Sequence, residues 1–129
     1  MPKRIMIVED DFFIATSAED GLIDHGFSVV GIATTAEEAV ALAKAQKPDL
    51  ALMDIRLGPG RDGVDAAIEI YAATGIRSIF VTAHTDSATV ARAAPAEPIG
   101  WVDKPYQMSH LVSTIQSYSM NGDHPVGRA

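Results

Sequence analysis

Three carboxylates stand where apolar runs give out: Glu9 and Asp10 directly after residues 5–8, and Asp54 directly after residues 50–53. Thr82 closes the apolar run 76–81, and Asp103, Lys104 and Pro105 follow residues 99–102. Gathered into one pocket, Glu9, Asp10 and Asp54 would repel one another, and at least one pKa would rise unless a cation neutralised them. Carboxylates, carbonyls and water form a hard-oxygen set that suits Mg²⁺, which binds through a few carboxylates and keeps several waters; zinc is a poor match. A carboxylate beside such an ion can attack phosphorus and form an acyl phosphate. Transfer of that kind depends on positioning and on neutralising the equatorial oxygens, for which the Lys104 ammonium and the Thr82 hydroxyl are suitable partners.

That chemistry requires a scaffold that brings the ends of the apolar runs together. Residues 4–8 and 76–81 lack the polar alternation of half-exposed strands and are expected to be buried on both faces, as in a parallel sheet. Further strands are expected at 27–32, 50–53 and 99–102. Helical spacing marks 13–23 before Gly26, 36–45 behind Thr35 as N-cap, 63–73 with Ala67, Ile70 and Tyr71 inward, and 108–118. A fourth helix over 86–94 should be cut short by Pro95 and Pro98, because proline lacks the amide and clashes with the preceding turn. A strand–helix unit repeated five times implies an α/β fold, a doubly wound parallel sheet with right-handed crossovers. The flavodoxin-like (βα)5 arrangement with strand order 2-1-3-4-5 is the expected topology, and its functional groups collect beyond the carboxyl ends of the strands.

Composition narrows the function. With 129 residues, 47% of them hydrophobic, the chain has the size and apolar content of a single domain. Ten basic residues against 17 acidic give a net charge of −7, which repels nucleic acid and anionic membranes. There is no cysteine, so disulfides and thiolate metal sites are excluded. The apolar run near the start is too short for a signal-peptide core or a membrane span, so a cytoplasmic protein is expected. Residues 1–119 should form the domain and 120–129, polar and turn-rich, a loose tail with no second domain behind it.

Ile7-Val8-Glu9-Asp10-Asp11, Asp54, Asp62-Gly63, Val81-Thr82-Ala83 and Lys104-Pro105, taken together and in order, resemble the receiver domains of two-component response regulators, chemotaxis regulators among them. The resemblance covers nearly the whole chain, to about Tyr118. It implies that Asp54 is the phosphoacceptor, Asp10 a direct Mg²⁺ ligand, Glu9 a ligand through water, and the Arg56 backbone carbonyl a further ligand. It gives Thr82 and Lys104 the phosphoryl oxygens, favours a cis bond between Lys104 and Pro105, and leaves Asp11 outside the metal site, as a charge at a helix start. It also implies a histidine kinase or histidine phosphotransferase as donor, signalling by protein contact or service as a phosphate relay or sink, and leaves homodimerisation open. No activity beyond self-catalysed phosphorylation and dephosphorylation is expected of such a domain.

The sequence departs from the family pattern in places. Residues 57–61 (Leu-Gly-Pro-Gly-Arg) make the turn before Gly63 longer than usual. The switch position three residues before the lysine, usually Tyr or Phe, is Trp101, and an indole is a larger ring to accommodate beside Thr82. The long turn and the proline-broken fourth helix are similar to receivers of alphaproteobacterial general-stress regulators. His84 and Arg56, each two residues beyond a key strand end, would flank the pocket mouth and could screen an acyl phosphate from water.

Other readings compete. A Mg²⁺-dependent phosphatase of the haloacid-dehalogenase type also uses a nucleophilic Asp after a strand, but its second acid would fall at Arg56, which cannot serve as a general acid at neutral pH. A receiver-like interaction module that never depends on phosphate is the alternative kept open by Trp101 and the fourth helix. Singly, Glu9 and Asp10 would read as a solvated turn, Thr82 as a strand residue and Lys104 as a surface lysine. His25, His110 and His124 show no paired metal spacing, and Gly58, Gly60 and Gly63 make no nucleotide fingerprint.

Overall fold

The structure is a computed structural model, and residues 2–121 are described. The chain runs β1 (Arg4–Val8), α1 (Phe12–Asp24), β2 (Ser28–Ala33), α2 (Ala36–Gln46), β3 (Leu50–Asp54), α3 (Gly63–Thr74), β4 (Ser78–Thr82), α4 (Ser87–Ala93), a 3-10 turn (Ala94–Ala96), β5 (Gly100–Asp103) and α5 (Met108–Asn121). All strand pairs are parallel, in the order β2-β1-β3-β4-β5. The five expected strand–helix units and their topology are therefore present, with element bounds displaced by one or two residues, or three at the end of α5. Of the expected C-terminal tail, residues 122–129 lie outside the described residues.

Alternation along the strands divides the core into two layers. Met6, Val8, Met53 and Phe80 face α2, α3 and the end of α4, whereas Ile5, Ile7, Leu52, Ile79 and Val81 face α1 and α5. The central strands β3 and β4 are buried at every residue, as their unbroken apolar runs require. Complete burial of a side chain such as Phe80 is worth roughly 1.5–3 kcal/mol relative to exposure, so the centre of the sheet is its most strongly held part. In α3, Val64, Ala66, Ala67 and Ile70 fill the core, whereas Tyr71, expected inward, is only half-buried. Its direction lies about 100° around the helix from Ile70, at the edge of the apolar stripe.

Helix starts follow the capping residues. Asp11, Thr35, Asp62 and Asp86 each accept a backbone N–H of the first turn, at Ile14, Glu38, Val64 with Asp65, and Thr89 respectively. Asp11 thus sits at a helix start, outside the acid cluster. The fourth helix is only seven residues long and passes into the 3-10 turn that contains Pro95.

At the amino ends of the strands, long cationic side chains tie segments together. Arg4 Nη1 donates to the Lys47 carbonyl at 2.9 Å, and Arg77 Nε to the Glu97 carbonyl at 2.6 Å. Lys3 and Arg77 both lie 5.5 Å from the centroid of the Tyr118 ring, within cation–π range, which holds α5 to this end of the sheet.

Candidate functional site

The carboxyl ends of β1, β3, β4 and β5 bring together the residues singled out in the sequence. One carboxylate oxygen each from Glu9, Asp10 and Asp54 lies within 4.8 Å of the others. Glu9 and Asp54 are buried and Asp10 is exposed, so the cluster opens to solvent on the Asp10 side. Lys104 Nζ donates to Glu9 Oε1 and to Asp54 Oδ1, both at 3.2 Å, across 95 and 50 residues of sequence. Its backbone N–H donates to the Thr82 carbonyl at 2.8 Å, and the Lys104–Pro105 peptide is cis.

Glu9, Asp54 and Lys104 also line a small pocket together with Tyr106 and apolar side chains of β1, β3, β4 and α1. Burial pushes the carboxyls of Glu9 and Asp54 above their ordinary values. For Asp54 the Lys104 ammonium offsets only part of the burial, and nearby Asp10 raises the carboxyl further. For Glu9 the backbone N–H of Asp11, accepted at 3.0 Å, and Lys104 likewise fall short of the effect of burial. Burial works against the Lys104 ammonium too, but Asp54 and Glu9 outweigh it and raise the lysine's pKa. One ammonium facing three clustered carboxylates leaves an excess of negative charge, so the donor set and its electrostatics fit a hard divalent cation such as Mg²⁺.

Gly63 fixes the main chain of Asp54. A methyl group there would stand 2.0 Å from the Asp54 carbonyl oxygen, so the start of α3 can pack against this stretch of backbone only without a side chain. The Gly63 N–H also donates to the Ile55 carbonyl at 2.8 Å. Asp62 and Asp65 cap the helix reciprocally. The long turn between β3 and α3 is held at both ends: Leu57 is buried in the core, and Arg61 pairs with Glu69 of α3 and lies 3.7 Å from Glu37 of α2. Gly58 and Gly60 take φ values of +87° and +93°, which side chains rarely adopt.

Thr82 is buried at the end of β4, with its hydroxyl engaged by His84. The His84 N–H donates to it and it donates to the His84 carbonyl, both at 3.2 Å. Thr85 donates to Asp103 at 2.7 Å and ties the same loop to the end of β5. Trp101 lies two residues earlier on β5 and stacks on Phe80 with ring centroids 4.7 Å apart, so it packs in the sheet layer facing α3. Arg56 and His84 are exposed on loops beside the strand ends. The sequence had not singled out Phe12 and Phe13, 70% and 81% exposed immediately beyond Asp10 and Asp11; two adjacent aromatics at a helix start were the available signal. Nor had it shown Arg92 of α4, which reaches Asp62 and Asp65.

A five-stranded parallel sheet of this order, with an acid cluster and a lysine at its carboxyl ends, defines the receiver class of signalling domain. The family model for the response regulator receiver domain matches residues 5–116, and the chain belongs to that family. It is 36% identical over 116 residues to the transcriptional regulatory protein PdtaR of Mycobacterium tuberculosis, covering 90% of this chain and 56% of that protein. It is 35% identical to the chemotaxis protein CheY of Thermotoga maritima, covering 92% of this chain and 99% of CheY. To the phyllosphere-induced regulator PhyR of Methylorubrum extorquens it is 32% identical, covering 89% of this chain and 43% of PhyR, in keeping with the likeness to general-stress regulators. Thus the chain spans about half the length of two of these relatives and nearly all of the third. Among solved structures, the signal receiver domain of a modulated diguanylate cyclase from Desulfovibrio desulfuricans superposes with a TM-score of 0.83 at 33% identity, covering 91% of this chain and 93% of that one.

Proposed function

We propose that the chain accepts a phosphoryl group on Asp54 from a histidine kinase or histidine phosphotransferase. The observation that carries this reading is Lys104 Nζ at 3.2 Å from both Glu9 and Asp54 within a cluster of three carboxylates at adjacent strand ends. Asp10, Asp54 and the Arg56 carbonyl would hold Mg²⁺ directly and Glu9 through water. The bound ion would supply positive charge against the phosphoryl oxygens.

Within that frame the chain's own groups divide the work. An Asp54 carboxylate oxygen bonds to phosphorus while the bond from phosphorus to the donor nitrogen breaks and its electron pair leaves with the imidazole. Lys104 is already within reach of Asp54 and neutralises one phosphoryl oxygen. Thr82 leaves the His84 backbone and donates to another. Arg56 and His84 stand at the mouth, where they would limit the approach of hydrolytic water. The exposed Phe12 and Phe13 offer a protein donor an apolar foothold beside the acids. Output would follow from protein contact or from onward relay of the phosphoryl group. Residues 1–119 are proposed as the working domain with 120–129 as a tail, and the cytoplasm as its place. Among the described residues, no helix is long and apolar enough to cross a membrane.

The test is the intact mass of the protein after incubation with Mg²⁺ and acetyl phosphate. A gain of one phosphoryl group, absent with EDTA and in Asp54→Asn, is the expected result. No adduct, together with no binding of beryllofluoride as a stable phosphoryl mimic, would overturn the reading in favour of a phosphate-independent interaction module.

A further inference from the structure

The shortened fourth helix is joined to the start of α3 by one side chain. Arg92 Nη2 donates to Asp62 Oδ2 at 2.5 Å and Nη1 to Asp65 Oδ1 at 3.4 Å. These two carboxylates are the reciprocal cap of α3, and they use their other oxygens for it: Asp62 Oδ1 accepts from Val64 and Asp65, and Asp65 Oδ2 from Asp62. The guanidinium therefore seats on the outer oxygens of a pair whose inner oxygens are already committed. The cap it grips adjoins Gly63, which is pressed against the Asp54 main chain. Next to Arg92, Ala93 is fully buried in the layer that α3 covers.

The other end of α4 is held differently. Residues 83–88 are exposed, and the loop leading into the helix is tied by the Thr82 and Thr85 hydroxyls. For Thr82 to donate to a phosphoryl group on Asp54, as the proposed function requires, its hydroxyl must give up the His84 carbonyl, and the loop that carries the Asp86 cap, having lost one of its ties, is free to shift. A helix of seven residues is too short to absorb such a shift by bending, so movement at its start tilts the whole element. Arg92 resists that tilt because its partners belong to α3, which cannot follow without disturbing Gly63 and Asp54.

We propose that Arg92 is a latch: by clasping Asp62 and Asp65 it holds α4 in the position that keeps Thr82 on His84, and it thereby sets how easily the domain switches. The proposal rests on the phosphoacceptor reading above. A partly exposed ion pair of this kind is worth up to about 1 kcal/mol, so its loss should raise the population of the switched arrangement about two- to five-fold.

Beryllofluoride affinity, measured at saturating Mg²⁺ on the full chain, reads that population. Arg92→Ala should bind beryllofluoride about two- to five-fold more tightly than the wild type, with Arg92→Lys between them. Arg61→Ala, which removes a comparable ion pair without touching α4, should bind no more tightly than the wild type. Removing a positive charge would by itself weaken binding of an anion, so tightening cannot be a charge effect. Equal or weaker binding by Arg92→Ala, with the wild type binding normally, would overturn the latch and leave the phosphoacceptor reading intact. Equal tightening by Arg61→Ala would also overturn it, since Arg61 makes no pair with α4 and the tightening would then not depend on the clasp. Failure of the wild type itself to bind would remove both.

Discussion

Lys104 is the cation that lets Glu9 and Asp54 sit buried side by side, and its removal should be felt most when no metal is present. Taking away one partner of a partly buried pair leaves uncompensated charge, so Lys104→Ala should lower stability by about 2 kcal/mol in EDTA. Mg²⁺ should restore most of that loss, and urea midpoints with and without the ion would show it; equal losses in both conditions would mean that Lys104 acts by packing alone. Phosphoryl acceptance on Asp54 should survive in this variant, with impaired signalling. These residues were legible in the sequence because the chemistry admits few residue types and because each stands at the end of an apolar run. Thr82 was legible as a residue but not in its present engagement, since the bonds to His84 depend on the course of a loop. The same holds for Trp101, whose stacking on Phe80 is set by the register between β4 and β5.

At the level of elements, the start of α3 is the joint on which Asp54, the proposed phosphoacceptor, depends. Gly63→Ala would drive a methyl group into the Asp54 carbonyl and should cost about 3 kcal/mol, read as a shift in the denaturation midpoint, with Asp54 phosphorylation lost as well. The cap itself carries a pH signature. Burial would raise the Asp62 carboxyl, but Arg92 and the capping N–H groups outweigh it and hold the pKa below its ordinary value. The unfolded chain then binds this proton more readily than the folded one, so the contribution of Asp62 is present above the ordinary carboxylate pKa and is lost as pH falls through the depressed one. Asn keeps the cap without the charge, so Asp62→Asn should flatten the acid limb of a melting-temperature-against-pH curve; an unchanged limb would dismiss the assignment. Helix starts at Thr35 and the proline-shortened fourth helix could be read from local residue types. The Arg92 clasp could not, because 30 residues separate Arg92 from Asp62 and nothing local marks the pairing.

For the whole molecule, strand order was legible because parallel neighbours need crossover helices and crossovers keep one hand, which leaves few arrangements for five strand–helix units. The surface proposed to meet a donor was less so, since exposure is decided only when the helices have packed. Phe13→Ala should therefore slow phosphorylation by a protein donor several-fold and leave the rate with acetyl phosphate unchanged, as measured by parallel time courses. An equal fall in both rates would place Phe13 in the site's own chemistry instead.

The arginines and the Tyr118 ring at the amino ends of the strands have a mechanical counterpart at the other end of the molecule. Long side chains and cation–π contacts clamp one pole, while exposed loops tied by hydroxyls close the other. Stiffness should therefore be graded along the strands, with the cheapest local openings in the exposed loop 83–88 at the end that carries Asp54. Backbone amides should exchange with solvent fastest there, more slowly at the clamped base and slowest in the buried centre of the sheet, so that the domain behaves as an anchored block with a pliant rim beside the acid cluster.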